Sequence, residues 1–180
     1  MKNIVYSFMI LILVIMLLGC SQEKKVIIGR DQRKANTVLE KVLDSIQRQD
    51  KNAICDLFSP ECSSDKEEFE KTINELFEYY KGEVVSYEDG GGLTAEKVVE
   101  GDYYSYTIEA SFEVITSEEE YRIAIKYIEE DATNPERVGI QSLYIIRKSD
   151  DVNLRSSYYG DWKFTLGINI GIPNKLPKHD

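Results

Sequence analysis

The chain has 180 residues, the usual length of a single domain. Asp and Glu number 32 against 22 Lys and Arg, which gives a formal net charge of −10 at pH 7. Contacts to phosphate need clustered basic residues, so this balance argues against a nucleic-acid partner and against an electrostatic hold on anionic lipid. The acidic excess mainly favours solubility.

An apolar leader precedes the polar part of the chain. Lys2 supplies a positive charge, residues 4–18 are almost wholly apolar, and the small residue Gly19 stands before Cys20. This order is typical of a secretory signal peptide, and the run is short for a membrane-spanning helix, which needs about 20 apolar residues. An uncleaved N-terminal anchor helix is the alternative.

The end of the leader, Leu17-Leu18-Gly19-Cys20, resembles the lipobox of bacterial lipoproteins. That resemblance implies cleavage before Cys20, a diacylglyceryl group on its sulfur and acylation of the new N-terminus. Two or more acyl chains hold a protein stably on a membrane, so we expect a lipid anchor on the extracytoplasmic face of the cell membrane. The predicted divisions are a signal peptide at 1–19, lipidated Cys20 and a tether at 20–33, one α+β domain at 34–175 and a frayed tail at 176–180.

Two further cysteines, Cys55 and Cys62, follow the spacing C-x6-C. An extracytoplasmic setting permits a disulfide between them, but spacing alone does not show that the geometry fits, and two free or buried thiols are the alternative. Zinc sites use four nitrogen or sulfur ligands, and the only histidine is His179, next to the last residue. We therefore predict no metal site and no cofactor.

Three helices are predicted after the tether. Apolar residues at helical spacing predict a first helix that ends near Gln49. Asp50 is placed to cap a second, short helix, which residues 59–60 (Ser-Pro) end, and Asp65 with Glu68 forms an approximate capping box for a third. The apolar stripes consist of Ala35, Val38, Leu39, Val42 and Ile46 in the first helix and of Phe69, Ile73, Leu76, Phe77 and Tyr80 in the third.

After Gly82, which closes the third helix, the apolar period becomes that of a strand. The stretch EVVSYE predicts a strand, and the glycines at 90–92 predict a flexible turn after it. Residues 138–147 predict a long strand that is apolar on both sides in its middle, so we expect it inside the sheet. The stretch DWKFTLGINIGIP predicts a last strand or two.

The clearest strand pattern is a hairpin of residues 103–115 and 119–129, which alternate in step. Antiparallel neighbours have residue numbers with a constant sum, and opposing Phe112 to Ile123 satisfies both faces of the hairpin. Ser117-Glu118 suits a tight turn poorly, so we expect a looser connection or a bulge between 116 and 120. The other predicted pairs are Val114 with Tyr121, Ala110 with Ile125, Ile108 with Tyr127, Glu113 with Arg122 and Glu109 with Lys126.

Together these elements predict an α+β fold, with N-terminal helices packed on one face of a curved antiparallel sheet. Long hairpins behind N-terminal helices resemble the nuclear-transport-factor-2-like cone. That resemblance implies a pocket between the helices and the sheet, although a pocket by itself does not define a function.

Several stretches resemble the domain-of-unknown-function family 5104, small lipoproteins of Gram-positive bacteria. They are DKNAICDLFSP, LFEYYKGEVVSYE, YRIAIKYIEEDATNPERVGIQSLYII and GINIGIP. Three motifs carry the resemblance: a Phe-Ser-Pro break, a Tyr-Lys-Gly helix end and a Val-Gly-Ile start of a strand. The family implies a lipid-anchored, cone-like domain and transfers no catalytic residues.

Recognised catalytic motifs are absent from the sequence. It contains no G-x-S-x-G elbow, no P-loop lysine after the glycines and no H-E-x-x-H motif. Any Ser-His-Asp or Cys-His arrangement would have to use His179 near the end of the chain. The stretches EEDATNPE and SDDVN do not match calcium-loop spacing and are interpreted as solvated loops.

Aromatic side chains are the remaining candidates for contact with a ligand or partner. Rings with one polar tip suit a pocket rim or a partner surface, although core packing also explains those on the inner face of the hairpin. The inner-face candidates are Tyr104, Tyr106 and Tyr121. The second group, which precedes the final strand, is Tyr158, Tyr159 and Trp162.

Three functions are compatible with this sequence. We rank first a membrane-anchored binding or interaction module whose partner is an unknown protein, glycan or small molecule. The second is a structural or accessory envelope protein without a ligand, and a packed interior would favour it. The last is a small enzyme that uses a buried carboxylate or tyrosine, and we therefore expect no enzymatic activity.

Overall fold

The computed structural model describes residues 29–101, 103–150 and 165–171. The chain divides into two units, residues 1–34 and residues 35–180, and the described part of the first unit is helical. The predictions made for Cys20 and for Tyr158, Tyr159 and Trp162 lie outside the described residues.

Three helices are described, and two of them begin at the predicted caps. Helix α1 covers residues 29–47, α2 covers Lys51–Leu57 and α3 covers Lys66–Tyr79. The Asp50 carboxylate accepts a 3.0 Å hydrogen bond from the Ala53 N–H, and Asp65 accepts one of 3.2 Å from the Glu68 N–H. Each bond satisfies an N–H that has no partner inside its helix, which confirms both caps.

The sheet has six described strands. Its order is β1-β3-β4-β5-β6, with β2 also paired to β3, and every pairing is antiparallel except that of β6 with β5. This confirms the α+β class, whereas the parallel last strand was not predicted. The strands are β1 Val84–Asp89, β2 Thr94–Glu100, β3 Tyr103–Thr116, β4 Glu120–Asp131, β5 Gly139–Arg147 and β6 Gly167–Ile170, with a short 3-10 helix at Pro135–Arg137.

The predicted register of the β3–β4 hairpin is confirmed. Phe112 lies opposite Ile123, and every other predicted pair is present. On the outer face, Arg122 Nε lies 3.1 Å from the Glu113 carboxylate and Lys126 Nζ lies 2.9 Å from that of Glu109. A bulge between Tyr106 and Thr107 ends the register, and three residues connect the strands between Thr116 and Glu120, as the poor turn sequence indicated.

The glycines at 90–92 do not reverse the chain. β1 pairs antiparallel with the second half of β3 and β2 pairs antiparallel with its first half, so both run in the same direction along one edge. The interpretation of these glycines as a turn was wrong, because they form an interruption within an edge strand. The sequence TAEKVVE of β2 was not predicted as a strand, since most of its side chains are exposed on both faces and carry no alternation.

The core lies between the helices and one face of the sheet. It contains the predicted helix stripes and the inner faces of β3, β4 and β5, including Phe112, Val114, Ile123 and Leu143. β5 is buried on both faces, which confirms its interior position. Its outer-face residues Tyr144 and Ile146 are buried, with Ala124 of β4, outside that core cluster.

Candidate functional site

The inner-face tyrosines proposed as ligand contacts lie in or beside the packed core. Tyr121 is 0% exposed and Tyr106 is 7% exposed. Tyr104 is partly buried against the core, and Lys97 Nζ lies 5.1 Å from the centre of its ring. The rings of Tyr106 and Tyr121 therefore contribute buried area in this structure and present little surface to solvent.

The Tyr121 hydroxyl joins the start of β4 to the end of α3. It accepts a 2.7 Å hydrogen bond from the Lys81 N–H and lies 3.4 Å from the Tyr79 carbonyl oxygen, to which it donates. The Tyr80 ring stacks on the Tyr121 ring, with centroids 4.7 Å apart and planes 16° from parallel. Because the Tyr121 side chain belongs to β4 and contacts residues 79–81 at the end of α3, it positions the helix end over the sheet.

Arg147 extends the same contact to the end of β5. It lies opposite Tyr121 in the sheet register, and its guanidinium carbon is 4.2 Å from the centre of the Tyr79 ring. The guanidinium also donates to the Tyr79 carbonyl, and the Arg147 N–H donates to the Tyr79 hydroxyl at 2.9 Å. A cation stacked on an aromatic face is stabilising, more so when it is partly desolvated.

Tyr79 is a hydrogen-bond donor in this cluster. Its hydroxyl donates to the Asp150 carboxylate at 2.8 Å. Burial raises the pKa of the Tyr79 phenol and the Asp150 carboxylate adds to that increase, although the Arg147 N–H acts against it. The phenol therefore stays protonated at neutral pH, which suits a structural contact better than a general base.

The Tyr80 hydroxyl differs from those of Tyr79 and Tyr121, which are hydrogen-bonded. The Tyr80 side chain is buried in the core, and the hydroxyl oxygen has no hydrogen-bond partner among the described residues. Burial raises the pKa of this phenol, with a further contribution from nearby Tyr121. A buried hydroxyl without a partner costs free energy relative to a hydrogen-bonded one.

Thr116 organises the connection between β3 and β4. Its hydroxyl accepts hydrogen bonds from the N–H groups of Glu119 at 2.9 Å and Glu118 at 3.3 Å, and it donates to the Lys81 carbonyl at 2.8 Å. Gly82, at φ +81°, packs so closely that a Cβ would lie 2.7 Å from the Thr116 hydroxyl oxygen. The Tyr-Lys-Gly motif therefore holds this connection against the end of α3.

A surface depression of about 390 Å³ lies above this contact. Ile115 at its edge is 41% exposed, and Val85, at a bulge of the neighbouring strand β1, is 68% exposed. We call the residues that line this depression, together with Val85, the turn-end surface. The depression is lined by Ile115, Thr116, Ser117, Glu118, Glu119, Glu120, Lys148 and Ser149.

Lys148 carries the positive charge of the turn-end surface. Its Nζ lies 3.1 Å from the Glu113 carboxylate and 3.1 Å from that of Glu120. Hydrogen bonds to Glu113 and then to Glu120 raise the pKa of Lys148, so it remains charged. The turn-end surface thus combines two exposed apolar side chains with an ion-paired lysine.

Cys55 and Cys62 are free thiols. The Cys62 sulfur accepts a hydrogen bond from the Ser59 hydroxyl at 3.3 Å and donates to the Gln141 carbonyl at 3.1 Å. Burial raises the pKa of both thiols above their ordinary value, so both stay protonated at neutral pH. Within the described part of the chain, no group of three or more potential metal ligands comes together.

Asp131, in the stretch EEDATNPE, stabilises its own loop. Burial acts to raise the pKa of its carboxyl, but hydrogen bonds from the N–H groups of Asn134 and Thr133, from the Thr133 hydroxyl, and the charge of Arg137 outweigh it and hold that pKa below its usual value. The carboxylate is therefore ionised and fully engaged in turn contacts. It is poorly placed to act as a general acid.

Sequence reasoning missed Tyr79, Lys81, Thr116 and Arg147 as members of one cluster. Arg147 carried the one available signal, because it occupies an inner-face position two residues after Ile145. A charged residue in an apolar phase at a strand end indicates a buried partner. The partner itself, Tyr79 on α3, depends on how the helix packs on the sheet and has no signal in the local pattern.

Comparison with known proteins places the chain in a family. No curated protein matches it. None of the helices within the described residues combines the length and the apolar content needed to cross a membrane. The model of the Domain of unknown function (DUF5104) family matches residues 41–148, more than half of the 180 residues. That span includes α2, α3, β1 to β5 and the turn-end surface apart from Ser149. The chain therefore belongs to the DUF5104 family.

Proposed function

We propose that this protein is a lipid-anchored, extracytoplasmic domain that binds another protein through its turn-end surface. The observation that carries the proposal is the contrast between the two sides of the hairpin. The inner rings Tyr106 and Tyr121 are packed in the core, whereas Ile115 and Val85 are exposed next to a depression. Contact through a surface therefore fits the structure better than a ligand in the helix–sheet interior.

The anchor part of the proposal rests on the leader. An apolar run that ends in Leu-Leu-Gly-Cys has the layout of a lipoprotein signal. Cys55 and Cys62, in contrast, are partly buried and pack against the core of the domain. The helices-on-sheet arrangement also fits a nuclear-transport-factor-2-like cone, the fold that we propose for this family. A tethered cone would hold its turn-end surface outside the cell membrane.

Lipidation is expected to depend on one cysteine. In cells fed an alkyne analogue of palmitate, the wild-type protein should take up the label, and the Cys20→Ala variant should lose it and remain uncleaved or leave the membrane fraction. Cys55→Ala and Cys62→Ala are the matched controls and should keep the label. Cys20→Ala protein that is labelled, cleaved and tethered like wild type would contradict the anchor.

Partner contact is expected at the turn-end surface. A photo-crosslinking amino acid at position 115 should give a discrete adduct with another protein in intact cells, because this side chain is exposed and apolar. The same group at Asn74, on the solvated face of α3, is the control and should give none. Identical products at both positions, or no product at position 115, would contradict a binding role for this surface.

A second function is favoured by the same packed interior. An accessory envelope protein without a ligand would need a filled core and no partner at the turn-end surface. Failure of the adduct at position 115, with lipidation through Cys20 retained, is the result expected of that function. The two experiments therefore separate the anchored accessory protein from the anchored interaction module.

A further inference from the structure

The edge of the sheet beside β3 consists of β1 and β2, which are interrupted between them at residues 90–93. A smaller irregularity lies at Val85, near the start of β1. Asp89 of β1 lies opposite Phe112, and Thr94 of β2 lies opposite Glu109. The four residues 90–93 thus face only two residues of β3. The interruption is a bulge with two extra residues, and because that number is even, the side chains of β1 and β2 keep the same alternation between faces.

Specific contacts hold this bulge in place. The Gly90 N–H donates to the Ser111 carbonyl at 2.9 Å, and the Ser111 hydroxyl donates to the Gly91 carbonyl at 2.7 Å. The Asp89 carboxylate accepts from the Gly91 N–H at 2.9 Å. Gly91 and Gly92 have φ of +84° and +73°, which side chains other than glycine rarely adopt. These hydrogen bonds and the two glycines therefore fix the conformation of the bulge.

The backbone of this edge is open to pairing with another strand. The side of β1 and β2 away from β3 pairs with no strand in the described residues. The side chains of β2 are mostly exposed, and Val99 is 65% exposed. An edge strand presents unpaired N–H and C=O groups, and a long apolar one recruits further strands.

We propose that the 90–93 bulge prevents a second copy of this chain from pairing with the β1–β2 edge. A second copy is the relevant competitor, because every copy carries the same edge. The bulge breaks the edge into segments of six and seven residues and displaces the backbone between them, so a straight strand meets only one segment in register. The charges of Glu96, Lys97 and Glu100 also disfavour pairing with a second copy, but they do not interrupt the row of backbone hydrogen-bonding groups along the edge.

Deleting Gly91 and Gly92 removes the bulge with little other change. Gly90 then opposes Ser111, to which it already donates a hydrogen bond, and Leu93 opposes Ala110. Leu93 already packs against the core, as an inner-face residue opposite Ala110 would. The shortened edge would run in one register from Ser86, opposite Ile115, to Glu100, opposite Tyr103.

Sedimentation equilibrium of the full chain in density-matched detergent tests the proposal. The two-residue deletion should raise the weight-average mass toward twice the wild-type value, and adding Val99→Lys to the deletion should restore it. Gly91→Asn keeps the length of the bulge, because asparagine tolerates a positive φ, and should sediment like wild type. A folded deletion variant of wild-type mass, an association that Val99→Lys does not reverse, or association of Gly91→Asn would each overturn the proposal.

A second variant decides the matter if the deletion does not fold. Glu96→Thr, Lys97→Thr and Glu100→Thr combined remove the charges of β2 and leave the bulge intact. Wild-type mass for this variant supports the bulge as the barrier. Association would show that the charges keep copies apart, and it would overturn the proposal.

Discussion

Gly139→Ala should destabilise the domain by about 2–4 kcal/mol, through backbone strain and a clash with a second segment. Gly139 has φ +123°, and a Cβ there would lie 2.7 Å from the Ser59 nitrogen and 2.9 Å from the Phe58 carbonyl carbon. Both are backbone atoms, so no side chain can rotate away. That backbone is also held in place, because the Ser59 N–H donates to the Ile140 carbonyl at 3.1 Å.

Gly167→Ala is the matched control for this prediction. Gly167 also has a positive φ, +90°, but a Cβ there would meet nothing within 4 Å. This variant should cost only the backbone term, about 1–2 kcal/mol. Urea unfolding of both variants measures the difference. Equal destabilisation of the two would contradict the prediction, because it would show that the backbone of residues 58–59 moves away from the added Cβ with no loss of stability.

The Gly139 contact gives a physical reason for two of the three motifs that carry the family resemblance. Phe58 and Ser59 come from the Phe-Ser-Pro break, and Gly139 and Ile140 come from the Val-Gly-Ile start of β5. Phe58 pairs with Ile140 in a parallel bridge, so the two motifs are one contact between the end of α2 and the sheet. The glycine is required because the backbone of one motif occupies the space of its side chain.

The β3–β4 register was predictable because both faces of the hairpin carry a signal. A slip of one residue would place Glu113 or Lys126 against the core, so a single alignment satisfies the apolar and the charged faces together. The helix caps were predictable for a similar reason, since Asp50 and Asp65 act on N–H groups only three residues away. A capping residue close to the N–H that it binds and a strict alternation of apolar and charged residues can both be recognised directly in the sequence.

Long-range features were not predictable in the same way. The direction of β6 leaves no trace in the pattern GINI, because a strand has the same alternation whether it pairs parallel or antiparallel. The glycines at 90–92 permit a reversal or a bulge equally well, and only the pairing of both flanking strands with β3 decides between them. The site shows the same limit, since the Tyr79–Arg147 contact joins residues 68 positions apart.

Tyr121→Phe should destabilise the domain by about 1–2 kcal/mol, whereas Tyr80→Phe should be neutral or stabilising by up to about 1 kcal/mol. Both substitutions remove one hydroxyl and keep the stacked pair of rings. The Tyr121 hydroxyl is the acceptor for the Lys81 N–H, and its loss leaves that donor without a partner among the residues that the structure describes. The Tyr80 hydroxyl is buried with no partner among the described residues, so its removal gives up no hydrogen bond there.

Urea unfolding of the two variants under one set of conditions measures this contrast, and each variant serves as the control for the other. The larger loss should fall on Tyr121→Phe, because its hydroxyl joins the end of α3 to β4 beneath the turn-end surface. The adduct expected from position 115 should also weaken in Tyr121→Phe and persist in Tyr80→Phe, since Lys81 connects Tyr121 to the Thr116 hydroxyl. Equal destabilisation by the two substitutions would mean that the Tyr80 hydroxyl has an acceptor of comparable strength and that Tyr121 has no special role in holding the helix end over the sheet.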